Sequence, residues 1–361
     1  MPKFIPGLKL SEDFYKEIVK PLLEKEFVGL KYSAGLIDFG SEVLGFDTEI
    51  SRDHHWGPRV LLFLSKKDFE KKKSISNFLS NNLPNKFKGY STNFGSPDDI
   101  GVQFLKEVEI GNKINHRVEI YTIDSFFKEY LSLDLNKEIS VFDWLTFPEQ
   151  KLRTIKNGKI FHDDLDLNLI RKKLFYYPKD IWLFLLASEW MKISQEEAFV
   201  GRTGHVGDEL GSKVISARLV HSLMNLCFLM EKEYSAYSKW FGTAFSKLKS
   251  AKKLTPTFNK VLLAETWKDR EKYLSKAYSV LANMHNELKI TKELSIDVSS
   301  YHERPYFVIH ADIFANEIKK KIKDPLIKKI RYEVGSVNQI TNTADLLENS
   351  DFLKKLKILY K

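Results

Sequence analysis

The stretch Phe39-Gly40-Ser41-Glu42-Val43-Leu44-Gly45-Phe46-Asp47, continuing to Asp53-His54-His55-Trp56-Gly57, decides how the chain is read. Before it, Ser33 to Phe39 is a short apolar run that reads as a strand ending in Gly40-Ser41. After it, Arg59-Val60-Leu61-Leu62-Phe63-Leu64 is apolar enough for the centre of a sheet. A glycine at a strand end lets backbone approach a phosphate closely. A serine beside it adds a hydroxyl and a backbone donor suited to the terminal phosphates of a nucleotide. Asp53 and His55 stand two apart, so an extended backbone projects both to one face, where they can share a divalent metal ion. His54 then points away, and Trp56 and Pro58 read as structural residues leading into the next strand.

Working outward, Phe14, Ile18, Val19, Leu22, Leu23 and Phe27 repeat at three and four, the pattern of an amphipathic helix. Lys66 to Leu83 reads as a helix that stops before Pro84, and Gly89 to Gly101 as a loop. Val102 to Ile110 and His116 to Thr122 read as strands joined at Gly111-Asn112. Asp124 opens a helix carrying Phe126, Phe127, Tyr130 and Leu131 on one face. Glu119 lies between Val118 and Ile120, and a charge in that setting needs compensation, which a metal would supply. From about residue 148 helical patterns dominate, over 179–199, 208–233, 238–252, 258–288, 311–331 and 345–358. The expectation is an α+β chain: a small mixed-sheet domain over 1–147, then a mainly helical domain over 148–361.

This layout resembles the DNA polymerase β-type nucleotidyltransferase superfamily. Gly40-Ser41 matches its Gly-Ser motif, Asp53-x-His55 its Asp-x-Asp or Asp-x-Glu pair, and Glu119 stands for its third carboxylate. GSEVLGFDTEISRDHHWGPR and ISQEEAFVGRTGHVGDELGS look like an uncharacterised bacterial nucleotidyltransferase-like group. The resemblance implies a nucleoside triphosphate, ATP by preference, held at Gly40 and Ser41. It implies Mg²⁺ or Mn²⁺ held by Asp53, His55 and Glu119, with Asp53 and Glu119 catalytic. A lysine from the helical domain often meets the triphosphate in related enzymes, and Lys239 is the candidate here. The acceptor would be a hydroxyl, favoured on a small molecule because no RNA-binding module is recognisable. His55 departs from the pattern, since imidazole is a poor ligand for Mg²⁺. A softer ion, a single metal, or lost transfer with retained nucleotide binding or a regulatory role each follow from that departure.

The remaining features are less specific. Gly201-Arg202-Thr203-Gly204-His205-Val206-Gly207-Asp208 reads as a glycine-rich break, either an anion site with Arg202 or a plain helix–helix connection. It is not a P-loop, because the Gly-Lys-Ser/Thr ending is missing. Glu196, Glu197 and Asp208 are possible general bases or ordinary surface carboxylates. The formal charge of +9 favours anionic partners, nucleic acid included, but the lysine clusters at 71–73, 319–323 and 354–357 have the spacing of solvated helix faces. Cys227 is the single cysteine, set in an apolar run, so no intramolecular disulfide forms. With no signal-peptide pattern in MPKFIPGLKL and Ile181 to Ala187 too short to span a bilayer, a cytoplasmic location without membrane partners is expected.

Overall fold

The computed structural model describes residues 2–52, 54–99 and 101–360. The chain folds as two compact units, residues 1–138 with 151–175, and residues 139–150 with 176–361. It is an α+β chain, with a small mixed sheet in the first unit and helices dominating the second.

The first unit begins with α1 (Gly7–Phe14), a π-helical turn (Tyr15–Val19) and α2 (Lys20–Glu26). Strand β1 (Tyr32–Leu36) follows, then α3 (Ser41–Leu44), β2 (Arg59–Leu64) and α4 (Lys72–Asn82). After a short hairpin, β3 (Lys86–Phe87) and β4 (Tyr90–Ser91), come β5 (Arg117–Thr122) and α5 (Ile123–Leu131). Four strands make the sheet, in the order β5-β2-β1-β6, where β6 is Lys159–Asp163. β1 runs antiparallel to β2 and β6, and β2 parallel to β5.

Strand periodicity assigns the two faces of β5. Val118 and Ile120 join Leu10, Phe14, Val60, Leu62, Ile75 and Leu79 in one buried core. Arg117, Glu119 and Tyr121 therefore alternate onto the opposite face. The parallel register sets Arg59 beside Arg117 and Leu61 beside Glu119. That register, which brings two arginines together, positions the site described below.

Two expectations are corrected. Residues 102–110 form no strand; Leu105 makes only an isolated bridge to Phe94. Side chains take the carbonyls that a ladder would use: Asn85 Nδ2 donates to Val108 at 3.1 Å, and Ser91 Oγ to Lys106 at 2.8 Å. The second concerns the limit at 147/148. β6 lies beyond it in sequence yet completes the sheet of the first unit, while α6 (Val141–Thr146) belongs to the second. β6 is a half-exposed edge strand, so its sequence carries little apolar signal.

The chain crosses between units after Glu138, back within α7 (Glu149–Asn157), and again after α8 (Leu167–Lys173). The second unit then contains α9 (Lys179–Glu196), α10 (Phe199–His205), α11 (Glu209–Met230), α12 (Ser238–Phe245), α13 (Ala251–Leu263) and α14 (Trp267–Glu287). The hairpin β7 (Ser299–Tyr301) and β8 (Arg304–Val308) leads into α15 (Ala311–Lys319), whose Phe314 stacks on Trp190 of α9 at 4.5 Å. Residues 201–205, expected as a break, are helical. A Cβ on Gly201 would strike the Tyr306 ring and one on Gly204 the Trp267 ring, so these glycines serve close packing. Cys227 is buried, and burial pushes its thiol up to about 12. Among the described residues one helix, Glu209–Met230, is long and apolar enough to cross a bilayer, and 56% of its most apolar window is buried within the chain.

Candidate functional site

Gly40, Ser41, His55 and Glu119 gather where β1 ends and β2 and β5 begin. After β1 the chain turns at Gly40, whose φ of 131° disfavours any side chain, and a Cβ there would strike the Glu42 carboxylate. Ser41 opens the four-residue helix α3. Arg59 anchors this turn. Its Nη2 donates to the Phe39 carbonyl at 2.7 Å and to Glu42 Oε1 at 2.6 Å, and its Nε to the same Oε1 at 3.2 Å. Arg59 Nη1 reaches Asp38 Oδ2 at 3.4 Å. All three charged side chains are buried.

Arg117 does on β5 what Arg59 does on β2. Its Nε and Nη2 donate to Glu119 Oε1 at 3.1 and 2.6 Å, and its Nη1 to His55 Nδ1. Tyr121 donates its hydroxyl to Glu119 Oε2 at 3.2 Å. The Phe39 ring lies under both guanidinium groups, 4.9 Å from Arg59 and 5.5 Å from Arg117, and 5.3 Å from the His55 ring. Gly40-Ser41, His55 and Glu119, distant in sequence, are thus brought to one end of one sheet.

Local fields sort the protonation states. Burial alone would raise Glu119, but Arg117, with Arg59 and the Tyr121 hydroxyl, outweighs it and holds the carboxyl below its ordinary value. Burial pushes Asp38 up to about 7 against the pull of Arg59, with Glu119 and Glu42 adding to the rise. Burial, then the nearby Arg117 and Arg59 charges, push His55 down to about 4, so the imidazole is neutral at pH 7. A neutral ring can accept the Arg117 hydrogen bond at Nδ1.

Asp53 lies outside the described residues. His55 has a φ of 54°, so the backbone at that residue is left-handed and not extended. His54 is exposed, its ring 6.4 Å from Phe104. Trp56 is buried and donates its Nε1 to Asp47 at 3.0 Å. The charge compensation that Glu119 needs comes from Arg117. Among the described residues no group of three His, Cys, Asp or Glu side chains is placed to hold a metal.

In the second unit, Lys239 is exposed in the first turn of α12, its Nζ 5.3 Å from its neighbour's ring at Trp240. The three candidate bases have structural partners. Glu196 pairs with Arg218. Asp208 caps α11 by accepting from Gly211 N at 2.7 Å. Glu197 accepts from the backbone N–H groups of Ile309 and Ala311, at 2.9 and 3.1 Å, at the start of α15. The lysine clusters supply local ion pairs, Lys71 with Asp68 at 2.7 Å, Lys320 with Glu317 at 2.6 Å and Lys354 with Asp351 at 3.7 Å.

Asp38, Glu42, Arg59 and Arg117 were not singled out in the sequence. One signal was available: Arg117 stands two residues before Glu119, and that spacing on a strand puts both on one face. A groove of about 340 Å³ opens at the other end of the sheet, lined by Leu64, Ser65, Lys66, Thr122, Ile123 and Asp124 among others. No residue expected to be functional lines it.

The family described as "Domain of unknown function (DUF4037)" matches residues 144–241. The chain is also similar to the crystal structure of a nucleotidyltransferase-like protein from Exiguobacterium sibiricum 255-15. Identity is 12%, the match covers 86% of this chain and 89% of that one, and the TM-score is 0.33. No curated protein matches the chain.

Proposed function

We propose that the first unit binds a nucleoside triphosphate beside the Gly40-Ser41 turn and transfers its nucleotidyl group to a hydroxyl, by preference on a small molecule. The observation that supports this is convergence. The Gly-Ser turn, His55 and Glu119, chosen from the sequence as one constellation, meet around the Phe39 ring and Arg117. In the reaction the acceptor oxygen bonds to the α-phosphorus and pyrophosphate leaves. Such chemistry rests on positioning and on charge neutralisation. Here the chain offers the Gly40 and Ser41 backbone, the Ser41 hydroxyl and a cationic face at Arg117.

The resemblance assigns Mg²⁺ or Mn²⁺ to Asp53, His55 and Glu119. The described donors do not fit a divalent ion as they stand, because His55 Nδ1 and Glu119 Oε1 both turn to the Arg117 guanidinium. No step is therefore drawn through a metal. The same contact favours a second reading, nucleotide binding without transfer.

Labelled nucleoside triphosphate offered to a pool of small hydroxyl acceptors tests the first reading. Transfer by the wild type should be abolished by Asp53→Ala, and undiminished transfer in that variant overturns the site. His55→Asp separates the two readings, since transfer that appears only in this variant with Mg²⁺ marks the natural site as a binding site.

A further inference from the structure

We infer that the Arg117 guanidinium is the resident cation of this site, so that nucleotide binding here is independent of divalent metal. The inference rests on the reading that a nucleoside triphosphate binds at the Gly40-Ser41 end of the sheet.

Three features carry it. The first is occupancy. Arg117 joins Glu119 Oε1 at 2.6 Å to His55 Nδ1, the two described atoms that would otherwise face a metal ion. A guanidinium and a dication repel, and cannot share one pair of donors. The second is donor chemistry. Neutral imidazole suits softer ions than Mg²⁺, and its Nδ1 lone pair is already engaged. The third is the division of labour between the two arginines. Arg59 is sealed in the core, spending its donors on Glu42, Asp38 and the Phe39 carbonyl. Arg117 engages three of its five N–H groups with Glu119 and His55, which leaves one on Nη1 and one on Nη2. A guanidinium presents N–H groups in a planar fork that matches phosphate oxygens. The Arg117 side chain itself is 9% exposed, and the cluster meets solvent at Glu119, 31% exposed, and at Phe39, 40% exposed, so a phosphate would reach Arg117 from that edge.

The chemical class recognised is a polyphosphate, with the nucleoside placed by the Gly40-Ser41 turn. The rest of the network fits this role. Phe39 stacks under Arg117 at 5.5 Å, Phe94 lies 5.8 Å away, and Tyr121 fixes the far oxygen of Glu119. A cation held in this way is always present and cannot be removed by a chelator.

The test is calorimetry on the full chain with ATP, GTP, CTP and UTP, each in excess chelator, in Mg²⁺ and in Mn²⁺. The wild type should bind at least one of them in chelator, with an affinity within about threefold of that in Mg²⁺, less than the 1.4 kcal/mol of a tenfold change. Arg117→Met should weaken chelator-insensitive binding by roughly tenfold or more, the loss of a charge-assisted phosphate contact. Arg117→Lys, which keeps the charge without the fork, should fall between them. Hydrogen exchange of the β2 and β5 amides shows whether each variant keeps its sheet, and the chelator arm on the wild type needs no variant. Binding that requires Mg²⁺ or Mn²⁺ overturns the inference and leaves the nucleotide reading standing. Undiminished binding by a folded Arg117→Met overturns the assignment to Arg117. No binding of any nucleotide under any condition removes the underlying reading and the inference with it.

Discussion

Replacing Arg59 with Met strands two buried carboxylates, and the cost can be worked from the hydrogen bonds that Arg59 makes. It gives Glu42 two, at 2.6 and 3.2 Å, the Phe39 carbonyl one at 2.7 Å, and Asp38 a longer one at 3.4 Å. Its side chain is 2% exposed, as is that of Glu42, so water cannot replace what is removed. Breaking a buried pair by deleting one partner costs roughly 3–5 kcal/mol, because the other charge stays buried and alone. Methionine fills much of the volume, so the loss is electrostatic more than steric. Against a typical total of about 5–15 kcal/mol, that is a large share of the stability of a domain. The assay is native-state hydrogen exchange at the β1 and β2 amides, which reports the first unit without the second. The effect should depend on pH. A carboxylate deprived of its cation in the core takes up a proton more readily, so the deficit should be smaller at pH 5 than at pH 8. Adding Glu42→Gln to Arg59→Met removes one stranded charge and should recover some of the loss. A deficit below about 1 kcal/mol at pH 8, or one of equal size at both pH values, refutes the idea that Arg59 holds the two carboxylates.

Asp38 gives a linkage prediction. Its ordinary value is 3.8 and burial raises it to about 7. A carboxyl raised in the folded state contributes fully below its unfolded value and loses that contribution as pH climbs through the folded one. The wild type should therefore lose stability relative to Asp38→Asn between about pH 4 and pH 7, by at most ~4 kcal/mol, and denaturation curves that stay parallel across that window refute it. Two glycines in the second unit should respond to the same change with opposite sign. Gly204→Ala forces a methyl group into the Trp267 ring and should cost about 1–3 kcal/mol. At Gly242 in α12 a Cβ meets nothing within 4 Å, so Ala there should add roughly 0.5–1 kcal/mol through helix propensity. Equal thermal shifts in the two variants would refute the packing role of Gly204.

Local pattern determined much of this protein. Six successive apolar or amphipathic residues at 59–64 make a central strand, and the i, i+3, i+4 repeat from Phe14 to Phe27 makes helix, a π-helical turn followed by α2, because 2.0 and 3.6 periodicities are properties of the backbone. The Gly40-Ser41 turn was legible for the same reason, since φ of 131° is open to glycine and closed to most others. The spacing of two between Arg117 and Glu119 puts both on one face of a strand, but the sequence pointed to a metal for Glu119's compensation, and the structure gives it to this guanidinium. Tertiary structure decided the rest. The left-handed backbone at His55, with its N–H held by the Gln103 carbonyl at 2.8 Å, depends on a loop far along the chain. β6 has too little apolar character to announce itself and becomes a strand by pairing with β1. The parallel register sets Arg59 beside Arg117 over one phenylalanine ring, and pairing between distant segments cannot be read from either segment alone. That long-range pairing is what turns separate charged residues into a site.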